Sequence, residues 1–184
     1  EALYAARRDT AAADHYDQLT TSPSAVIRAA ARLRRADLAL DRGAPVPDHA
    51  QRVDALAAHG VDPRPWWPRT AEAALRAGDA AAAEHWLTGY LAESPEGEPA
   101  RAVAAIRLAD LRAARGAEAE ARDGFAAVME RHGDEPVGRL AGVRLSALDL
   151  VSGDPAAAME RLRREGGSFH PGVAAYANAL FGRA

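Results

Sequence analysis

The sequence predicts an all-α chain, a right-handed α-solenoid of antiparallel helix hairpins with about ten helices. Three observations lead there. Alanine makes up about a quarter of the 184 residues, and alanine is both the strongest helix former and small enough to let helix axes approach closely. Apolar residues recur at steps of three and four through most of the chain, which is the helical period. Gly43, Gly78, Gly116 and Gly153 each close an apolar-periodic segment, at separations of 35, 38 and 37 residues. A near-constant interval of that length marks stacked helix pairs.

The clearest pair is Trp66 to Pro95. Gly78 can adopt the left-handed conformation that ends a helix, and Asp79 can cap the next one with its carboxylate. Before the turn, Trp67, Ala71, Ala74 and Leu75 share a face; after it, Ala83, Leu87, Tyr90 and Leu91 do so. Pro68 suits a first helical turn and Pro95 an exit. The short link requires the two helices to run antiparallel.

Residues 2–20 read as a helix carrying Ala12, Tyr16 and Leu19. Thr21 to Ser24 form a turn and a cap. A helix over 25–42 carries Val26, Ile27, Ala30, Leu33, Ala36 and Leu40 and ends at Gly43. Pro45 to Asp48 interrupt the pattern before a shorter helix over 48–59 with Val53, Leu56 and Ala57. After the Trp66–Pro95 pair, Glu96 to Pro99 form a linker. Residues 100–115, with Val103, Ile106, Leu108, Ala109 and Leu111, pair with a helix carrying Ala121, Phe125 and Val128. From about 137, Leu140, Val143, Leu145 and Leu148 precede the Gly153-Asp154 turn, with Ala158 and Leu162 beyond it. The 166–171 loop leads to a terminal helix, 172–182, carrying Val173, Tyr176, Ala177, Leu180 and Phe181. The units are 1–20, 24–60, 64–95, 99–133, 136–167 and 171–184, one array across the chain.

Numbered with Trp67 as position 4, the Trp66–Pro95 pair has Ala71 at 8, Ala83 at 20, Leu87 at 24 and Pro95 at 32. This resembles the tetratricopeptide repeat, with a large residue at 4, small ones at 8 and 20, a large one near 24 and proline at 32. Thr70 stands where that repeat has leucine, and Ala74 where it has an aromatic. Ala83, Ala121 and Ala158 each follow their turn glycine by five residues, which favours this class over the longer HEAT-type helix pair. A narrower resemblance covers residues 3–105. The stretches AARRDTAAADHYDQL, RAAARLRRADLALDRG, RTAEAALRAGDAAAAEHWL and PEGEPARA look like the tetratricopeptide-like domain of bacterial ancillary Sec translocon subunits. That resemblance implies a membrane-anchored, periplasm-facing protein working with envelope chaperones. The chain departs from it in carrying no membrane span and in continuing for about two more units; it opens on Glu1, which leaves room for an anchor outside it.

The formal net charge is −3 with both signs interspersed, without the basic stripe of a nucleic-acid protein. Every basic residue is arginine, which reads as the codon bias of a GC-rich bacterial genome. No cysteine is present, which removes disulfides and thiolate metal sites. No phosphate-loop, dinucleotide-binding, nucleophile-elbow or HExxH motif occurs, and the six histidines are scattered. Asp14, His15 and Asp17 could bring two side chains together on one helical turn, but without a third ligand that is not a metal site. No catalytic residue, cofactor or metal is expected.

A stack of helix pairs lines its concave side with first helices, a groove suited to a peptide. Groove-facing candidates are Glu72 and Arg76, Ile106 and Asp110, and Val143, Ala147 and Leu150; the apolar ones could equally be covered by a helix or a second copy of the chain. Trp66, beside the inward Trp67, is either a partner anchor or packing for the adjoining loop. Arg28, Arg32, Arg34 and Arg35 form either an anion-binding face or a solvated one. The expected function is a non-catalytic scaffold docking a protein or peptide, as monomer or homodimer. The alternatives are an accessory domain of a larger protein, or a small-ligand sensor around Trp66 and Trp67.

Overall fold

The computed structural model describes residues 8–133, 135–152 and 154–165, and these are helical with no strand among them. The chain divides into two compact units, Glu1–Glu93 and Ser94–Ala184. The first holds α1 (Arg8–Leu19), α2 (Ala25–Asp41), α3 (His49–Ala57), a single 3-10 turn (Arg64–Trp66), α4 (Trp67–Arg76) and α5 (Ala80–Glu93). The second holds α6 (Pro99–Ala114), α7 (Glu118–His132), α8 (Pro136–Val151) and α9 (Pro155–Glu165). The expected turn at Gly153, the 166–171 loop and the terminal helix at 172–182 lie outside the described residues.

Within the first unit each helix packs on the next, and α4 with α5 form the most extensive pair. Their link is the expected one. Gly78 has φ +80°, and the Asp79 amide donates back to the Ala74 carbonyl at 2.9 Å. The Asp79 carboxylate then accepts from the Ala82 amide at 2.9 Å. Those bonds satisfy a carbonyl at one helix end and an amide at the start of the next. Gly43 and Gly116 repeat the positive φ. Asp154 repeats the cap, accepting from the Ala157 amide at 3.0 Å.

Two buried clusters form the core of the first unit. Ala29, Leu33, Val53 and Leu56 join α2 to α3, with Trp66 and Trp67 against them. Ala36, Leu40, Val46 and Ala73 join α2 to α4. In the second unit α6, α7, α8 and α9 pack in succession, and α6 also meets α8. Its core gathers Phe125 with Ile106, Ala109, Ala121, Ala141 and Leu145. Ala83, Ala121 and Ala158, the small residues expected at the helix crossings, are all fully buried.

Several helix faces are rotated from the expected ones. Val26, Ile27, Leu75 and Val103 are exposed. On α2 the inward stripe is instead Ala29, Leu33, Ala36, Asp37 and Leu40. On α4 it is Thr70, Ala71 and Ala73. Both rotations bring a polar side chain inside, and a polar side chain stays inside only when it is paired there. No described helix is long and apolar enough to cross a membrane.

Candidate functional site

Asp37, His49 and Thr70 explain the rotations in the first unit. The ring of His49 is sealed between α2 and α4. Its Nδ1 lies 3.0 Å from Thr70 Oγ1 and its Nε2 3.1 Å from Asp37 Oδ1. Thr70 Oγ1 donates to the Trp66 carbonyl at 3.1 Å, and Asp37 Oδ2 accepts from Arg34 Nη1 at 3.3 Å. His49 and Thr70 are 1% and 2% exposed. Carboxylate, imidazole and hydroxyl stand in line, but the Thr70 hydroxyl gives its one proton to the Trp66 carbonyl and not to the imidazole. The hydroxyl is buried with the ring. The network acts as a polar clasp across three helices.

Arg69 extends the clasp to the surface. It donates to the Asp41 carboxylate and to the Asp37 carbonyl, and its Nη1 meets Glu72 Oε2 at 3.1 Å. Desolvation, the largest influence on Arg69, works against its charge, but Asp41, Glu72 and Asp37 together outweigh it and hold the guanidinium above its usual value. Glu72 Oε1 accepts from Arg76 Nη2 at 3.0 Å. The two expected groove residues of α4, Glu72 and Arg76, therefore bond to one another along the helix, with Glu72 half-buried and Arg76 exposed.

Beside this ladder lies a cleft of about 580 Å³. Tyr16 from α1, Arg34 and Leu38 from α2, Pro65 and Trp66, and Arg69 from α4 line it. Trp66 is half-buried. One part of it covers the Leu33 cluster, and the Arg34 guanidinium carbon stands 5.6 Å from its ring centroid, within the range of a cation–π contact. Trp66 therefore packs on the core and also walls an open cleft. Trp67 stacks obliquely on Trp86, ring centroids 6.0 Å apart, with Gly89 leaving room for its edge.

The candidates of the second unit are placed less openly. Val143 is 0% exposed and Ile106 4%. This corrects their placement on an open groove: Ile106 belongs to the Phe125 core, and Val143 is an interior residue of α8. Ala147 and Leu150 are half-buried, whereas Val151 at the helix end is 82% exposed. Asp110 faces Arg144 across α6 and α8 at 3.6 Å. Burial pushes the Asp110 carboxyl above its ordinary value, and Arg144 pulls it part of the way back.

The same unit has a buried charge that sequence reasoning missed. Asp149 is 1% exposed and accepts from Arg122 of α7 and Arg161 of α9, while Arg161 Nη1 also lies 3.5 Å from Ser146 Oγ. Three helices meet on one carboxylate. Nothing local signals it, because the pairing partners are 27 and 12 residues away.

Among the described residues no group of three or more acidic or histidine side chains is arranged to hold a metal ion. No protein-family model matches the chain, and no curated protein matches it.

Proposed function

We propose that the protein is a non-catalytic docking scaffold of tetratricopeptide-like helix hairpins, with a protein or peptide segment as its partner. The observation that carries this reading is the Trp66 cleft. It combines aromatic and proline walls with charges of both signs: Arg34 and Arg69 on one hand, Asp37 and Asp41 on the other. Amphipathic aromatics and arginine are the residues that concentrate binding energy at protein interfaces. The walls are also held in place before any partner arrives, since Trp66 rests on core side chains and Arg69 is anchored by three acidic residues. Such preorganisation lowers the ordering cost of association.

The stacking of the pairs into a solenoid is part of the same proposal. It is supported by the repeated glycine turns, the three buried alanines at the helix crossings, and the contact of α6 with α8 across α7. The volume of the cleft gives a second reading some support, because it also falls within the range of small-molecule pockets.

The test is co-purification with quantitative mass spectrometry, comparing the wild type with Leu38→Glu in the cleft and Ala92→Glu on the exposed face of α5. The reading expects at least one protein to be enriched with the wild type and with Ala92→Glu, and depleted about tenfold with Leu38→Glu, as loss of a central interface contact produces. Identical partners for all three would reject it. A tryptophan emission change with low-mass extract, abolished by Leu38→Glu, would favour the small ligand instead.

A further inference from the structure

The arginine face of α2 does not behave as one surface. Arg34 is engaged by Asp37 and Trp66, and Arg35 donates to Asp17 at 2.6 Å. Arg28 and Arg32 have no carboxylate partner among the described residues. One helical turn apart, they share a face, and it opens on a second cleft, of about 380 Å³, between α2 and α3. Arg52 and His59 of α3 line the other wall, with Asp48 as the one acidic group.

Each guanidinium is held differently. Arg28 Nη1 donates to the Ser22 and Pro23 carbonyls, at 2.6 and 2.8 Å, which fixes the head and leaves its Nε and Nη2 for another acceptor. Arg52 Nη1 donates to the Arg32 carbonyl at 3.2 Å and its Nη2 to Asp48 at 2.7 Å. Arg32 is exposed, and no described group takes up its five N–H donors. Three positive charges, two of them anchored, against one negative leave an excess of two. The lining also has an apolar part, Ala25, Ala29 and Ala55, of which Ala29 is buried.

We propose that this cleft is a binding site for a phosphomonoester dianion. A phosphomonoester carries close to two negative charges at neutral pH and three acceptor oxygens. It therefore matches both the charge excess and the surplus of planar guanidinium donors, which favour bidentate oxyanions. The alanines of the lining receive the carbon of the ester. A single carboxylate would leave half of the excess charge unmet. The site is separate from the Trp66 cleft, and neither proposal depends on the other.

The test is a titration of the full chain with phenyl phosphate, followed by amide chemical shifts in α2 and α3. Sodium succinate and sodium chloride at equal ionic strength run beside it. Arg32→Glu is compared with Arg42→Glu, which changes the net charge equally at an exposed residue outside the cleft. Thermal melts establish that both variants keep the fold. The proposal expects saturable shifts confined to residues around Arg28, Arg32 and Arg52, with affinity reduced about tenfold or more in Arg32→Glu and unchanged in Arg42→Glu, the loss of one charge-assisted contact. Equal losses in both variants, shifts that chloride reproduces, or tighter binding of succinate would each overturn it.

Discussion

Asp149 offers a test in which removing more interactions should do less harm. Its carboxylate is 1% exposed, whereas the side chains of Arg122 and Arg161 are 41% and 21% exposed. Replacing both arginines by methionine leaves an ionised group inside the unit without a cation. Stripping the partners from a buried charge costs about 3–5 kcal/mol. Arg122 is more than a third exposed, so solvent screens its share and the low end applies, about 3 kcal/mol. The Ser146 hydroxyl offers no relief, because it donates to the Gly142 carbonyl at 3.0 Å. Now replace Asp149 by leucine in the same background. The buried charge is gone, and an apolar triad of similar volume occupies the junction of α7, α8 and α9. That variant should return to within about 1 kcal/mol of the wild type, since apolar substitution of a whole buried ion cluster is often neutral. The assay is urea denaturation followed by far-UV circular dichroism. Tryptophan emission would report the wrong place, since Trp66, Trp67 and Trp86 all belong to the first unit. A double variant as stable as the wild type, or a triple variant worse than the double, would refute the reasoning.

Other expectations follow from the same contacts. His49→Ala removes both bonds of the clasp and leaves a cavity, so the first unit should lose about 2–4 kcal/mol, read by tryptophan emission in urea; Thr70→Val should cost less, about 1 kcal/mol. Gly138→Ala would place a methyl carbon 2.5 Å from the Gly133 carbonyl oxygen, a backbone contact that cannot give way, and should cost more than about 2 kcal/mol. Gly97→Ala meets nothing within 4 Å and should leave the melting temperature unchanged. Asp110 has a raised folded-state pKa. The folded state then holds more protons than the unfolded one just above the ordinary aspartate value of 3.8, and stability should fall as pH rises through that window. Asp110→Asn should flatten that slope. Asp48 is the opposite case, lowered chiefly by its hydrogen bond to Arg52. Its contribution is present above 3.8 and is lost as pH falls through the folded value, so Asp48→Asn should weaken the acid limb of a pH–stability curve.

Helix positions were legible from the chain because they depend on local signals. Gly78 and Asp79 mark a turn whatever surrounds them, and Ala83, Ala121 and Ala158 sit at crossings that need a small residue. The rotation of each helix about its axis was less legible. Val26, Ile27 and Val103 look like core residues by hydrophobicity, but a helix has more apolar positions than its neighbours can cover. On α2 the inward stripe includes Asp37, and hydrophobic periodicity places such a residue outside. Thr70, at the position where the tetratricopeptide pattern has leucine, bonds to His49 and to the Trp66 carbonyl in the first unit's polar clasp. Its partners Asp37 and His49 lie 33 and 21 residues away, so no short window contains the network. Among the candidate site residues, the sequence singled out Trp66 and the structure gives it a cleft. Glu72, Arg76 and Asp110 are side chains tied into ion pairs, whereas Ile106 and Val143 are interior because the apolar character that nominated them is also what buries them.

The docking of a partner at the Trp66 cleft is tested most directly by photocrosslinking inside the cells that make the protein. A benzophenone amino acid at Leu38 would probe the cleft, and one at Ala92 the exposed face of α5. The account predicts one defined protein adduct from position 38, absent from position 92 and lost when Tyr16→Ala opens the wall of the cleft. The same adducts from both positions, or no protein adduct from position 38 at any expression level, would contradict it.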